Sequence, residues 1–338
     1  MQSSHISPLF ILATLGAIGC SGSGATDYPS QGGTAQVGGS ETVGGATATG
    51  GRLSSGGSAA NGGSVATGGR SSTVMGTGGT SQTGTSSATK FSFFVTSQAR
   101  LSALAQTFNG STKGFGGDLR YGETGTGAGL RGADKICTQI AATSLPGNGK
   151  TWRAFLSATT DGTAQVDAIK RIGSGPWYDR VGRLVANSTS ELLSTRPTAA
   201  HSAIINDLPN EDGVPNHDAL QTGNTANQDN HDILTGTTAT GTLYNATSTC
   251  SDWTSSTGSA SQKPRCGHSW PAAMGGGGMG MGGDMSNWMS ALDEAGCAPG
   301  YNLAESVNGQ PSVPGGDGTL TVGSGGGYGG FYCFALTP

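Results

Sequence analysis

Apolar positions are spread very unevenly along the 338 residues. From Ile6 to Gly19 the chain reads ISPLFILATLGAIG, a run of secretory-leader length that is shorter than a bilayer-spanning helix requires. Residues 21–90 lose this pattern and consist mostly of Gly, Ser and Thr. At Lys90 the pattern returns abruptly: KFSFFVTS alternates and then runs apolar, predicting a strand. After a glycine-rich turn region, Ala133, Ile136, Cys137, Ile140 and Ala141 recur at helical spacing, and Pro146-Gly147 ends that helix. Trp152 to Leu156 predicts a strand, Val166 to Ile172 a short helix, Gly175-Pro176-Trp177 a turn, and Glu191 to Leu193 a further helical piece. Beyond these the chain is loop-rich, with strand-like segments at 233–235, 249–254 and 330–336.

Composition explains the patternless stretch. The 62 glycines exceed twice the usual share of about 7%, while charged residues make up 11%, less than half the usual quarter. Gly pairs begin at 32, 38, 44, 50, 56, 62 and 68, a six-residue period. A β-helix would need one aliphatic column along that period. The residues before the pairs are Val37 and Val43 but then Thr49, Ser55, Asn61 and Thr67, so no column forms and ordering entropy is not offset. Residues 20–90 are therefore expected to be a flexible tether with a typical reach of roughly 45 Å. Seventeen Lys and Arg against twenty-one Asp and Glu give a net charge of −4 with no basic run, which argues against a nucleic-acid partner.

Ala17-Ile18-Gly19-Cys20 closes the apolar leader and resembles the lipobox of bacterial lipoproteins. The resemblance implies a signal peptide over residues 1–19, acylation of Cys20, and a membrane partner reached through that lipid. Ser21 follows the cysteine where Asp is the usual inner-membrane retention signal, so it implies an outer-membrane, surface-exposed location.

In the patterned part, GADKIC at 132–137, WRAFLSA at 152–158, LVANSTSELL at 184–193, CSDW at 250–253 and FYCFA at 331–335 carry a second resemblance. They are similar to a domain of bacterial surface lipoproteins related to the endostatin module of collagens, a member of the C-type-lectin-like fold. Over residues 91–338 this implies an α+β domain with a small antiparallel sheet, two helices, adjacent termini and long ligand-carrying loops. Five cysteines lie in this region, and an exported, core-poor domain is where disulfides are expected. The resemblance implies two nested bridges, Cys137 to Cys333 and Cys250 to a later loop cysteine; Cys297 is preferred and Cys266 competes.

Candidate chemistry concentrates in the loop half. Between Arg196 and Lys263 there is no Lys or Arg, yet Asp207, Asn210, Glu211, Asp212, Asp229 and Asp232 fall in that interval. Carboxylates and amides without basic partners can serve a calcium ion, which takes six to eight oxygens from flexible loops. Calcium is therefore the candidate cofactor, against the alternative that Asn and Asp simply form turns through their own side chains. Asp232 suits a turn cap entering a strand as well as a ligand, and His201, His217 and His231 are expected to be solvent-exposed.

Cys266-Gly267-His268 lacks the C-x2-C or H-x3-H spacing of structural zinc sites. The methionines between Met274 and Met289 offer soft copper ligands, or a glycine-expanded insertion that tolerates them. Trp152 and Trp253 are expected in the core, and Trp270 and Trp288 are the candidate exposed ligand contacts. No G-x-S-x-G, H-E-x-x-H or G-x-x-x-x-G-K-[ST] occurs, so no catalytic motif is found. The expected function is a non-catalytic, surface-tethered module for an extracellular glycan or a matrix or envelope protein. A structural envelope protein and a carboxylate-based glycan hydrolase are the alternatives.

Overall fold

A computed structural model describes residues 90–217, 230–270, 286–301 and 319–337. The expected leader, Cys20 and the expected tether lie outside the described residues. The patterned part is an α+β domain. Its organising element is the last strand, β8 (Gly327–Ala335), every residue of which is buried. β1 (Phe93–Val95) runs antiparallel along one edge of it, pairing Phe94 with Cys333. β2 (Trp152–Ala154) pairs antiparallel with the second half of the other edge, setting Ala154 opposite the same Cys333. The first half of that edge takes β5 (Asp232–Leu234) in parallel, followed outward by antiparallel β6 (Arg265–His268) and β7 (Leu292–Asp293). A separate two-stranded sheet pairs β3 (Trp177–Tyr178) with β4 (Leu184–Ala186). The first and last strands of the domain are thus neighbours.

Two long helices complete the frame. α2 (Ala128–Ser144) is the helix expected from the apolar spacing, and it buries Ala133, Ile136, Cys137, Ile140 and Ala141. Its small residues permit close approach: a Cβ on Gly132 would lie 2.1 Å from the carbonyl oxygens of Leu119 and Arg120, and one on Gly129 2.2 Å from that of Asp252. α1 (Gln98–Asn109) was not predicted by the apolar pattern; it buries only Leu101 and Ala105. What defines it is capping. Ser97 accepts a hydrogen bond from the Arg100 amide at its start, and Gly110 turns left-handed at its end (φ 79°). The expected helical pieces at 166–172 and 191–193 are present as a 3-10 turn at Ala168–Lys170 and as α3 (Thr189–Leu192).

Both expected disulfides are formed. Cys137–Cys333 ties α2 to β8, and Cys250–Cys297 ties two loop segments, leaving Cys266 free and buried. The segment expected as a strand at 249–254 is instead one turn of left-handed helix. Cys250, Ser251, Asp252 and Trp253 have φ of 48°, 55°, 55° and 64°, and the Trp253 amide donates to Thr249 O at 2.7 Å. Four non-glycine residues in this conformation cost about 1–2 kcal/mol each. Opposing that cost are the disulfide at Cys250, the Asp252 carboxylate accepting from the Thr159 amide at 2.6 Å, and the Trp253 indole donating to Ser157 O at 2.8 Å.

The core is aromatic. Phe91, Phe93, Phe94, Phe155, Phe331 and Phe334 are fully buried beside four tryptophans. Each of those indoles finds an acceptor: Trp152 at Asn148 Oδ1, Trp177 at Ala335 O, Trp253 at Ser157 O and Trp288 at Leu192 O. Burying an indole without such a partner would leave a desolvated N–H unsatisfied. No helix among the described residues is long and apolar enough to cross a membrane.

Candidate functional site

The loop Asp207–His217 is pinned to the sheet and to α1. The Val95 amide donates to Pro209 O at 2.9 Å, fastening the loop beside β1. Asn210 is buried, and its Oδ1 accepts from the amides of Asp212 (3.0 Å) and Val214 (3.2 Å), closing an Asx-type turn. The next residue, Glu211, is only 1% exposed and reaches back to the start of α1. Its Oε2 accepts from the Ser97 amide at 3.0 Å and its Oε1 from the Ser97 hydroxyl at 2.6 Å, so a residue 114 positions away completes the helix cap. Burial pushes the Glu211 carboxyl above its ordinary value, against the pull of those hydrogen bonds. Arg100 comes within 3.5 Å of Glu211 and 3.7 Å of the exposed Asp212.

Between the first turn of α1 and this loop lies a cleft of about 310 Å³, bordered by Gln98, Arg100, Asn210, Glu211, Asp212 and Asn216. Three residues singled out from the sequence therefore meet at one cavity. A larger hollow of about 510 Å³ lies at the start of α2, near Arg131, Arg153 and Arg171. There the Arg171 guanidinium is already bidentate to buried Asp134, at 2.9 Å to each oxygen.

The oxygens expected to form one calcium shell are placed in separate settings. Asp207 accepts the His217 amide at 3.0 Å, Asn210 closes its turn, Glu211 caps α1, Asp212 faces solvent and Arg100, and Asp232 lies in the sheet. Asp229 is outside the described residues. Asp207, Asn210, Glu211 and Asp212 thus answer backbone, hydroxyl and guanidinium donors, while Asp232 stands apart from them in the sheet. Trp270 is half-buried and packs on His217, with ring centres 3.9 Å apart. Trp288 is fully buried against Phe155 and Tyr332, so it belongs to the core and offers no ligand surface. The methionines at 274–285 are outside the described residues, and Met289 is in the core.

A second constellation was not visible in the chain. β5 and β6 pair in a register that sets Asp232 opposite His268, on one face of the sheet. His268 Nε2 lies 2.8 Å from Asp232 Oδ1, and His231 Nε2 lies 3.3 Å from the same oxygen. The two imidazoles stand nearly perpendicular, with centres 4.3 Å apart. His231, expected at the surface, is 4% exposed, while Asp232 and His268 are fully buried. Asp232 is therefore no turn cap.

Glu294, just beyond β7, is also fully buried; its Oε2 accepts from the Ser324 hydroxyl at 2.7 Å and the Gly325 amide at 2.6 Å. Burial and the neighbouring Asp232 charge push the Glu294 carboxyl well up. Burial works the same way on Asp232, but His231 and His268 outweigh it and hold that carboxyl below its ordinary value.

The backbone around the two carboxyls must be bare. A Cβ on Gly325 would come 2.6 Å from Asp232 Oδ2, and one on Gly327 3.3 Å from Glu294 Oε1.

The chain matches no known protein family, no curated protein and no solved structure.

Proposed function

We propose that the chain is a non-catalytic, surface-exposed binding module, carried to the outer membrane, acylated at Cys20 and held off the lipid by its glycine-rich tether. Its folded part is assigned to the C-type-lectin-like, endostatin-like class. Supporting this are the neighbouring first and last strands, the two long helices and the two disulfides suited to an oxidising compartment.

The ligand we assign is an extracellular glycan, and the site is the cleft between α1 and the 207–217 loop. One observation carries this: Gln98, Arg100, Asn210, Asp212 and Asn216 present amide, guanidinium and carboxylate groups around one hollow of about 310 Å³. Such groups match the donors and acceptors of sugar hydroxyls, and a cavity of that size suits one or two sugar rings. Trp270, packed at a tilt against His217 beside Asn216, supplies an apolar ring next to the same loop. Supporting the non-catalytic reading, both oxygens of the Glu211 carboxyl are engaged by Ser97, which gives this side chain a structural role at the start of α1.

Screening the full chain and its Arg100→Ala variant on a glycan array tests this. Discrete glycan hits that weaken at least tenfold in the variant are expected. An empty array, with envelope proteins co-purifying instead, would replace the glycan reading with a structural one.

A further inference from the structure

We propose that His231, Asp232, His268 and Glu294 bind one divalent transition-metal ion of the zinc type. The site is separate from the glycan cleft and does not depend on it.

The first support is ligand type. Two imidazoles with carboxylates are a donor set for zinc and its neighbours, whereas calcium selects six to eight oxygens.

The second is spacing. The ligating atoms of His231, Asp232 and His268 all lie within 4.8 Å of one another. Four ligands placed tetrahedrally at zinc's bond lengths of about 2.0–2.2 Å stand about 3.3 Å apart. The nitrogen-to-oxygen separations are 3.3 Å for His231, which equals that figure, and 2.8 Å for His268, about half an ångström short of it, so a small opening of the cluster admits the ion.

The third is the burial of two carboxyls side by side. Asp232 is fully buried, its oxygens face the His231 and His268 imidazoles and the Glu294 carboxyl, and among the described residues no backbone N–H or hydroxyl donor is aligned with them or with Glu294 Oε1. Two buried carboxyls at close quarters are costly unless a cation or shared proton answers them. The ion would displace the protons held among Asp232, Glu294 and the two imidazoles, whose nitrogen and oxygen atoms would become its ligands.

The fourth is the rigidity of the frame. His231 and Asp232 are at the start of β5, His268 is paired across from Asp232 on β6, and Glu294 is fixed by Ser324 and Gly325 on the approach to β8. Bare glycines at 325 and 327 keep side-chain bulk out of the space beside the carboxyls. A metal here would clamp three segments from distant parts of the sequence, which is what structural zinc sites do in domains with small cores.

The test uses the full chain, stripped with chelator and titrated with Co2+ as a spectroscopic probe, then with Zn2+ and Ca2+. Expected are one equivalent of Co2+ with strong visible bands, its displacement by Zn2+, a raised melting temperature, and no response to Ca2+. Asp232→Asn and His268→Gln should weaken binding more than a hundredfold, beyond the 10–100-fold typical of losing only an outer-shell partner. Glu294→Gln is the milder variant should either of those fail to fold, and it should weaken binding at least tenfold. His201→Ala is the control and should bind as the parent does. No cobalt binding by the folded parent, or undiminished binding in a folded Glu294→Gln or Asp232→Asn variant, would overturn the assignment in favour of a proton-sharing network.

Discussion

Removing the Cys137–Cys333 bridge gives the sharpest energetic prediction. Its half-cystines are 196 residues apart, so in the unfolded chain it closes a very long loop. The loop-closure entropy for about 197 residues is about 18 cal/mol/K, or about 5 kcal/mol at 25 °C. The second bridge spans 47 residues, and the same relation gives about 4 kcal/mol. Nesting the shorter loop inside the longer one changes the first figure by only a few tenths of a kcal/mol, because closure entropy grows logarithmically.

Against a total stability of about 5–15 kcal/mol, either loss is large. The double variant Cys137→Ala/Cys333→Ala should therefore lose about 5 kcal/mol in urea unfolding, and Cys250→Ala/Cys297→Ala about 1 kcal/mol less. Both are compared without reductant, in a Cys266→Ala background that removes the remaining thiol of the domain. A loss below about 2 kcal/mol for the first pair, or a clearly larger loss for the second, would refute the reasoning.

Further outcomes follow from particular residues. Ser251 is exposed and left-handed at φ 55°, so Ser251→Gly should relieve about 1–2 kcal/mol of backbone cost against about 0.5–1 kcal/mol of added unfolded-state entropy. The net is a stabilisation of about 0.5–1 kcal/mol, measurable as a higher urea midpoint. Burial raises the Glu211 carboxyl in the folded state, so the folded protein holds that proton to higher pH than the unfolded chain does. Stability should therefore rise as pH falls from the raised value towards the ordinary 4.5, and Glu211→Gln should lack that component in unfolding measured across the same window. Cys20→Ala should abolish lipid labelling and move the chain out of the membrane fraction, checked by metabolic fatty-acid incorporation.

Much of the frame was legible because it is encoded locally. The Phe and Val run at 91–95, the helical spacing of Ile136, Cys137 and Ile140, and the apolar FYCFA at 331–335 each contain their own period. What escaped depends on distant partners. α1 has a thin apolar stripe, and the carboxylate that completes its cap arrives from Glu211. The left-handed turn at Cys250–Trp253 carries no glycine to announce it, and Ser157, Thr159 and Cys297 hold it in place. For the acidic loop, composition shows charges and not their donors, and Ser97, His217 and Arg100 supply donors to Glu211, Asp207 and Asp212. The reverse holds for His231, Asp232, His268 and Glu294. Only strand register brings HDILTG and CGHSW together, and the loop beyond β7 delivers the glutamate. Histidine spacing along the chain contains no trace of that pairing.

The claim on which the functional account rests is that sugar sits between α1 and the 207–217 loop. Hydrogen–deuterium exchange of the full chain, with and without a glycan that the array identifies, tests it most directly. The account predicts slowed exchange confined to 97–103 and 210–217. Slowed exchange elsewhere with these two segments unchanged would contradict it.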